Sequence, residues 1–280
     1  MAKSALLKSS IAKKWWMSLT GLFLCVFLVG HLVGNLQLIF GTSLQFNQYA
    51  LFMTTNPAVK VLSYVTYFSI LFHAIDGIML TVQNKKARPV GYAVKKDSVS
   101  STWASRNMAV LGTLLLVFIA THMVNFWAKM HFSEMPLQKQ VVTISNAMTG
   151  QNEEVEVYNF TDGSAAPVNV VEMGQLEIKN GKEFYQTGTD LKVKEGYKDL
   201  YKITVDFFKD PSLGIAFTAF YVLSMVVLGF HLSHGFASAF QSLGLNNPKY
   251  NGLIKTVGLG FSIIVPALFA IIPIYICFFK

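Results

Sequence analysis

Of the 280 residues, 52% are hydrophobic and only 14% are charged, against about 25% charged in soluble domains, which excludes an ordinary water-soluble globular protein. The mean hydropathy of +0.44 agrees. The formal charge of +8 resembles a nucleic-acid signal until it is mapped: Glu134–Asp210 holds 13 acids against 8 lysines, a net −5, so the rest of the chain is +13. That asymmetry speaks of membrane topology and predicts no nucleic-acid partner.

Five segments are long and apolar enough to cross a bilayer, which takes about 20 residues each. The first, about Trp15–Phe40, follows Lys3, Lys8, Lys13 and Lys14. Its apolar run exceeds that of a signal peptide and no A-x-A-like site follows, so it reads as a retained span. The loop 41–57 carries no basic residue, and Asn56-Pro57 marks an N-cap and first turn for the second span, Ala58–Val82. Six basic residues between Lys85 and Arg106 precede the third span, Asn107–Ala128. Residues 131–211 form a long loop with alternating stretches ("QVVTIS", "EEVEVYNF", "LEIKNGKEFYQ") and an Asn180-Gly181 two-residue hairpin signal, predicting a small β cap on the outer side. Nothing in it has catalytic spacing. Asp210-Pro211 opens the fourth span, Ser212–Phe240, and Lys249 and Lys255 flank the fifth, Leu253–Phe279. Pro266 and Pro273 are expected to kink the fifth span, and Gly258 and Gly260 to allow close helix approach. Cys25 and Cys277 fall within spans and give neither a disulfide framework nor a metal-ligand spacing. The basic clusters place the amino terminus in the cytoplasm and the carboxyl terminus outside.

The expected fold class is therefore an all-α membrane protein of five transmembrane helices with a small β insertion. The chain divides as 1–130 (three spans), 131–211 (outer cap) and 212–280 (two spans).

Histidine is costly in hydrocarbon, yet five of the six histidines lie within spans: His31, His73, His122, and the pair His231 and His234. His131 lies just past the third span. Each of the first four spans thus holds at least one. At 1.5 Å rise per residue, His31 and His122 lie ~21 and ~22 Å from the inner edge, and His73 and His231 both ~14 Å. An outer pair, His31 with His122, and an inner pair, His73 with His231, match two bis-histidine haems stacked in a four-helix core. Two imidazoles saturate iron and favour electron transfer over oxygen chemistry. Gly30 and Gly34 flank His31, and Gly77 and Gly235 follow His73 and His231 by four, leaving room for a flat macrocycle. His231 and His234 share a helix face, and spacing alone leaves open which is the ligand.

These residues also carry a resemblance. "KKWWMSLTGLFLCVFLVGHLVGN", "LFHAIDGIMLTVQNKKAR", "FIATHMVNFW" and "GFHLSHGFASAFQSLG" resemble the cytochrome b subunit of succinate dehydrogenases and fumarate reductases, of the single-subunit, di-haem, five-helix type. The resemblance covers the five spans and not the long outer loop. It implies two haem b groups ligated by His31, His73, His122 and His231, with His234 left as an extra. It also implies a multi-pass subunit of a bacterial cytoplasmic membrane, with a flavoprotein and an iron–sulfur subunit docked on its cytoplasmic face. Electrons would pass between these partners and a membrane quinone, typically menaquinone. Where some members carry a buried carboxylate before the fourth ligand, this chain has Gly229 and Phe230, so no proton route of that kind is implied.

Further candidates surround the histidines. Asp76, the only acid within a span, is placed to orient a ligand, contact a propionate or quinone, or relay protons. Asn35 and Asn125, one turn beyond His31 and His122, are candidate donors to a quinone carbonyl or to a neighbouring helix. Ser18, Lys14 and Arg106, with His234, stand where inner propionates would emerge; the two cations also suit a topology or lipid-anchor role. Two other functions fit the pattern less well: the cytochrome anchor of a hydrogenase or formate dehydrogenase, and a histidine-lined transporter without haem.

Overall fold

The computed structural model describes residues 9–90, 101–145 and 151–280. Lys3, Lys8, Lys95 and Lys96 of the basic clusters lie outside the described residues. Five helices are long and apolar enough to cross a membrane: α1 (Ser10–Phe40), α3 (Pro57–Ala87), α5 (Met108–Phe132), α8 (Gly214–Ser242) and α9 (Pro248–Phe279). Between them lie α2 (Ser43–Thr55), the single turn α4 (Trp103–Arg106), and a cap of short strands with α6 (Asn169–Glu172) and α7 (Leu200–Phe208).

Local chemistry sets most helix ends. Ser9 caps α1 through the Ile11 amide, and Gly41 closes it with its amide on the Gln37 carbonyl. Asn56 accepts from Ala58 and Val59 and Pro57 fills the first helical position of α3. Asn247 and Pro248 start α9 in the same way. Asp210, expected to cap the fourth span, instead accepts from the amides of Ser212 and Leu213 in a separate turn, and α8 begins at Gly214 without a side-chain cap. The loop 41–57 holds a 13-residue helix, α2, opened by a reciprocal capping box between Thr42 and Gln45. Its Tyr49 ring packs against Gly34 of α1, where an added Cβ would lie 2.4 Å from Tyr49 Cε1.

Four of the spans form a four-sided bundle in which α1 packs on α3, α3 on α5, α5 on α8 and α8 on α1. The fifth, α9, lies outside, along α8 and α1. Gly258 makes its approach to α8 possible, since a Cβ there would stand 2.8 Å from Phe236 Cδ1; Gly260 has open space instead. Gly229 serves the same interface, facing the Ser262 carbonyl at 3.0 Å from an added Cβ. The helix α9 runs unbroken through the buried Pro266 and Pro273. An apolar cluster including Leu32, Leu38, Tyr221, Val265, Ile272 and Ile276 joins α1, α8 and α9, and Phe46 of α2 and Phe208 of α7 extend it to the cap. Many large apolar side chains, Val26, Val61, Leu223 and Ile263 among them, point outward, as a lipid-facing surface requires.

The cap is two antiparallel three-stranded sheets: β1 (Lys139–Ser145), β2 (Asn152–Asn159) and β3 (Ala165–Pro167) in one, β4 (Leu176–Lys179), β5 (Glu183–Gln186) and β6 (Lys192–Glu195) in the other. The hairpin read at Asn180-Gly181 joins β4 to β5, both residues adopting positive φ. Its loop is three residues, because Lys179 pairs with Glu183 and Lys182 joins the turn. Phe184 is fully buried between the sheets against Tyr158 and Phe160. Lysines lace the rim: hydrogen bonds from Lys194 and then Ser164 hold the Asp162 carboxyl well below the usual range, and Lys182 does the same for Glu195.

A buried polar knot helps fasten the cap to the bundle. Asn47 of α2 donates to Gln138 Oε1 at 2.5 Å and Asp199 Oδ1 at 2.8 Å, and accepts from the Tyr201 amide at 3.0 Å. Asp199 in turn caps α7 through the Lys202 amide.

Candidate functional site

In a four-sided bundle the diagonal helices, α1 with α5 and α3 with α8, face each other across the central axis without packing closely along their backbones. The structure carries imidazoles across both diagonals. His31 of α1 meets His122 of α5 with ring centres 5.8 Å apart and planes perpendicular. His73 of α3 meets His231 of α8 at 6.1 Å with a 66° interplanar angle. Of the two candidates on α8, it is His231 whose ring faces His73; His234, one turn away, is half-buried.

The two pairs lie at separate levels. The His73 ring abuts Met17 and Gly21 on α1, ten to fourteen residues before His31, a separation of about 15–21 Å. The α5 helix repeats the measure: Gly112 stands beside the His231 ring, ten residues before His122, or about 15 Å. Gly21 and Gly112 therefore sit on the diagonal opposite to the inner histidines and give their rings room. An added Cβ would lie 3.1 Å from His73 Cε1 at Gly21 and 3.8 Å from His231 Cε1 at Gly112. Neither glycine was singled out from sequence, since nothing in the spacing tells which ring a glycine on a different helix will face.

Around the outer pair the walls are aromatic. Phe27 stacks on His31 at 5.3 Å and Phe269 of α9 reaches it at 5.7 Å, while Phe118, Phe126 and Tyr221 surround His122. Directly after His122, residues Met123–Ala128 form a π-helical turn, a widening that often marks functional positions. Asn125 lies in this turn and donates to the Tyr221 hydroxyl at 3.3 Å. Asn35 donates to the His31 backbone carbonyl at 2.8 Å, and its amide nitrogen lies 3.4 Å from both His31 ring nitrogens. Both amides are thus engaged beside the outer pair.

The inner pair has a more polar shell. His73 Nδ1 donates to the Met17 carbonyl at 3.0 Å and lies 3.3 Å from Thr20 Oγ1, which itself donates to the Trp16 carbonyl at 2.7 Å. Ser18 and Thr20 of α1 and Ser69 of α3 are buried nearby in the chain. Asp76, one turn after His73, is 9% exposed, and Lys13 of α1 is 8% exposed. Lys13, rather than the exposed Lys14, is therefore the cation buried at this end. Arg106 Nη1 donates to the Ser101 carbonyl at 2.5 Å.

Two buried ring nitrogens, His122 Nδ1 and His231 Nδ1, have no hydrogen-bond partner. Among the described residues no group of three or more His, Cys, Asp or Glu gathers to hold a metal ion. The histidines come as pairs. Of the glycines read as making space, Gly30, Gly77 and Gly235 have open space where a Cβ would project, whereas the space at Gly34 is filled by Tyr49. No family model, no curated protein and no solved structure matches the chain.

Proposed function

We propose that the chain is the di-haem cytochrome b membrane anchor of a succinate:quinone oxidoreductase. The observation that carries this reading is the pair of imidazole contacts crossing opposite diagonals of one bundle at two depths. Two imidazoles bound to one metal through facing nitrogens, at about 2.0 Å each, have ring centres about 6 Å apart; the observed 5.8 and 6.1 Å fit. A protein-only metal site would need further ligands at each level, and none gathers there among the described residues, whereas a haem would bring its own nitrogens.

Haem held by these imidazoles would supply one-electron redox chemistry. The rest belongs to the protein. His31 and His122 would hold the outer haem b, and His73 and His231 the inner one. Phe27, Phe118, Phe126 and Phe269 keep water from the outer pair. Ser18, Lys13, Asp76, His234 and Arg106 lie toward the inner end and would be the polar groups available to the inner haem's propionates.

The positive-inside bias orients that inner end to the cytoplasm of a bacterial membrane. The exposed Lys14, Lys85, Lys86, Arg88 and Arg106 then face the flavoprotein and iron–sulfur partners, and the quinone, menaquinone by resemblance, is taken from the lipid. The dicarboxylate chemistry belongs to the partners.

The test is reduction of the complex purified through this chain. Succinate is expected to reduce its b-type absorbance and a menaquinone analogue to reoxidise it. Reduction by formate or hydrogen, and not by succinate, would move the chain to a different dehydrogenase.

A further inference from the structure

The four histidines are not held alike. His122 and His231 have no partner on Nδ1, and His31 has only an amide donor, Asn35, at 3.4 Å from its ring nitrogens. His73 alone has a strong acceptor behind it, the Met17 carbonyl at 3.0 Å. A carbonyl oxygen only accepts, so Nδ1 carries the hydrogen and Nε2 keeps the lone pair. Thr20 Oγ1 spends its own hydrogen on the Trp16 carbonyl and so presents a lone pair to the same Nδ1–H. Gly21 completes the seat, because the imidazole edge lies where a side chain would begin.

Resting on the di-haem reading, we infer that Met17, Thr20 and Gly21 form a seat in α1 that fixes the tautomer and angle of His73 and makes it the more basic ligand of the inner pair. Thr20 and Gly21 are positioning residues that act through the His73 ring they lie against. A hydrogen bond from the remote nitrogen to an acceptor raises ligand basicity and favours the oxidised iron. The seat therefore holds the inner centre at a lower potential than an unsupported imidazole would. It also ties the inner ligand to the helix that carries His31.

The experiment is a redox titration with low-temperature electron paramagnetic resonance on the purified complex, comparing Thr20→Val, Thr20→Ser and Gly21→Ala with wild type. Thr20→Val is expected to shift one of two midpoints to more positive values and to change one of two low-spin signals, with Thr20→Ser restoring both. Gly21→Ala is expected to displace the His73 ring and reduce haem content toward one per chain. If Gly21→Ala does not accumulate, the two Thr20 variants decide. A two-haem wild type whose potentials and signals are unchanged by Thr20→Val, or change equally at both centres, would overturn the seat and leave the di-haem reading intact. A wild type without haem would instead overturn that reading.

Discussion

His231→Ala is expected to remove one of two haems, and His73→Ala to remove the same one. On the proposed reading both imidazoles of a level hold one haem, so losing either is expected to be as damaging as losing both, and the double variant within a pair should add little. His31→Ala and His122→Ala should likewise converge on the other centre. A double variant across pairs, His31→Ala with His231→Ala, should lose both. Removal of a supporting residue behind a metal ligand typically costs 10–100-fold in affinity, and removal of the ligand itself is expected to exceed that. His234→Ala is the control. Its ring is half-buried and is not the one facing His73, so both haems should stay. Haem content and the split of the reduced absorption band, measured on each purified variant, check the set. Loss of a haem in His234→Ala with none lost in His231→Ala would reverse the assignment.

The second large effect is structural and lies far from the histidines. Asn47→Leu is expected to loosen the cap from the bundle while leaving haem binding in place. Leucine keeps the branched outline of asparagine, though it is bulkier, but donates nothing to Gln138 and Asp199 and accepts nothing from the Tyr201 amide. Asn47 and Gln138 are 2% and 1% exposed, so water does not replace the lost partners without opening the joint. Stranding a buried carboxylate and a buried amide costs about 2–4 kcal/mol. Hydrogen exchange should rise across Leu200–Phe208 and at the exit of α5, and protease should cut within 133–210 more readily. Exchange equal to wild type in both segments would show that the knot does not hold the cap.

The apolar runs made the spans legible because length and hydropathy suffice to mark them, and the histidine depths follow from helical rise alone. The contacts His31–His122 and His73–His231 are the ones that depth arithmetic pairs. What spacing does not encode is direction. Gly21 and Gly112 serve histidines on other helices, and Tyr49 fills Gly34 from a segment read as loop. Helix α2 announced itself only in the Thr42–Gln45 capping box, a signal easily passed over between two strongly apolar runs. The π-helical turn after His122 has no counterpart in hydrophobic pattern. Asn35 and Asn125 lie one turn from His31 and His122; Asn35 takes a carbonyl of its own helix, a local bond, whereas the Asn125 partner, the Tyr221 hydroxyl, is supplied by another helix and is not legible from spacing. An amide in an apolar bundle takes the nearest available partner. At the inner end the buried cation near Asp76 is Lys13, because helix phase turns its neighbour Lys14 outward.

Haem stoichiometry tests the central claim most directly. A pyridine haemochrome assay on the purified chain, normalised to protein by amino-acid analysis, is expected to give two b-type haems per chain, one for each histidine pair. A chain that folds, retains its five helices and binds no haem would contradict the account.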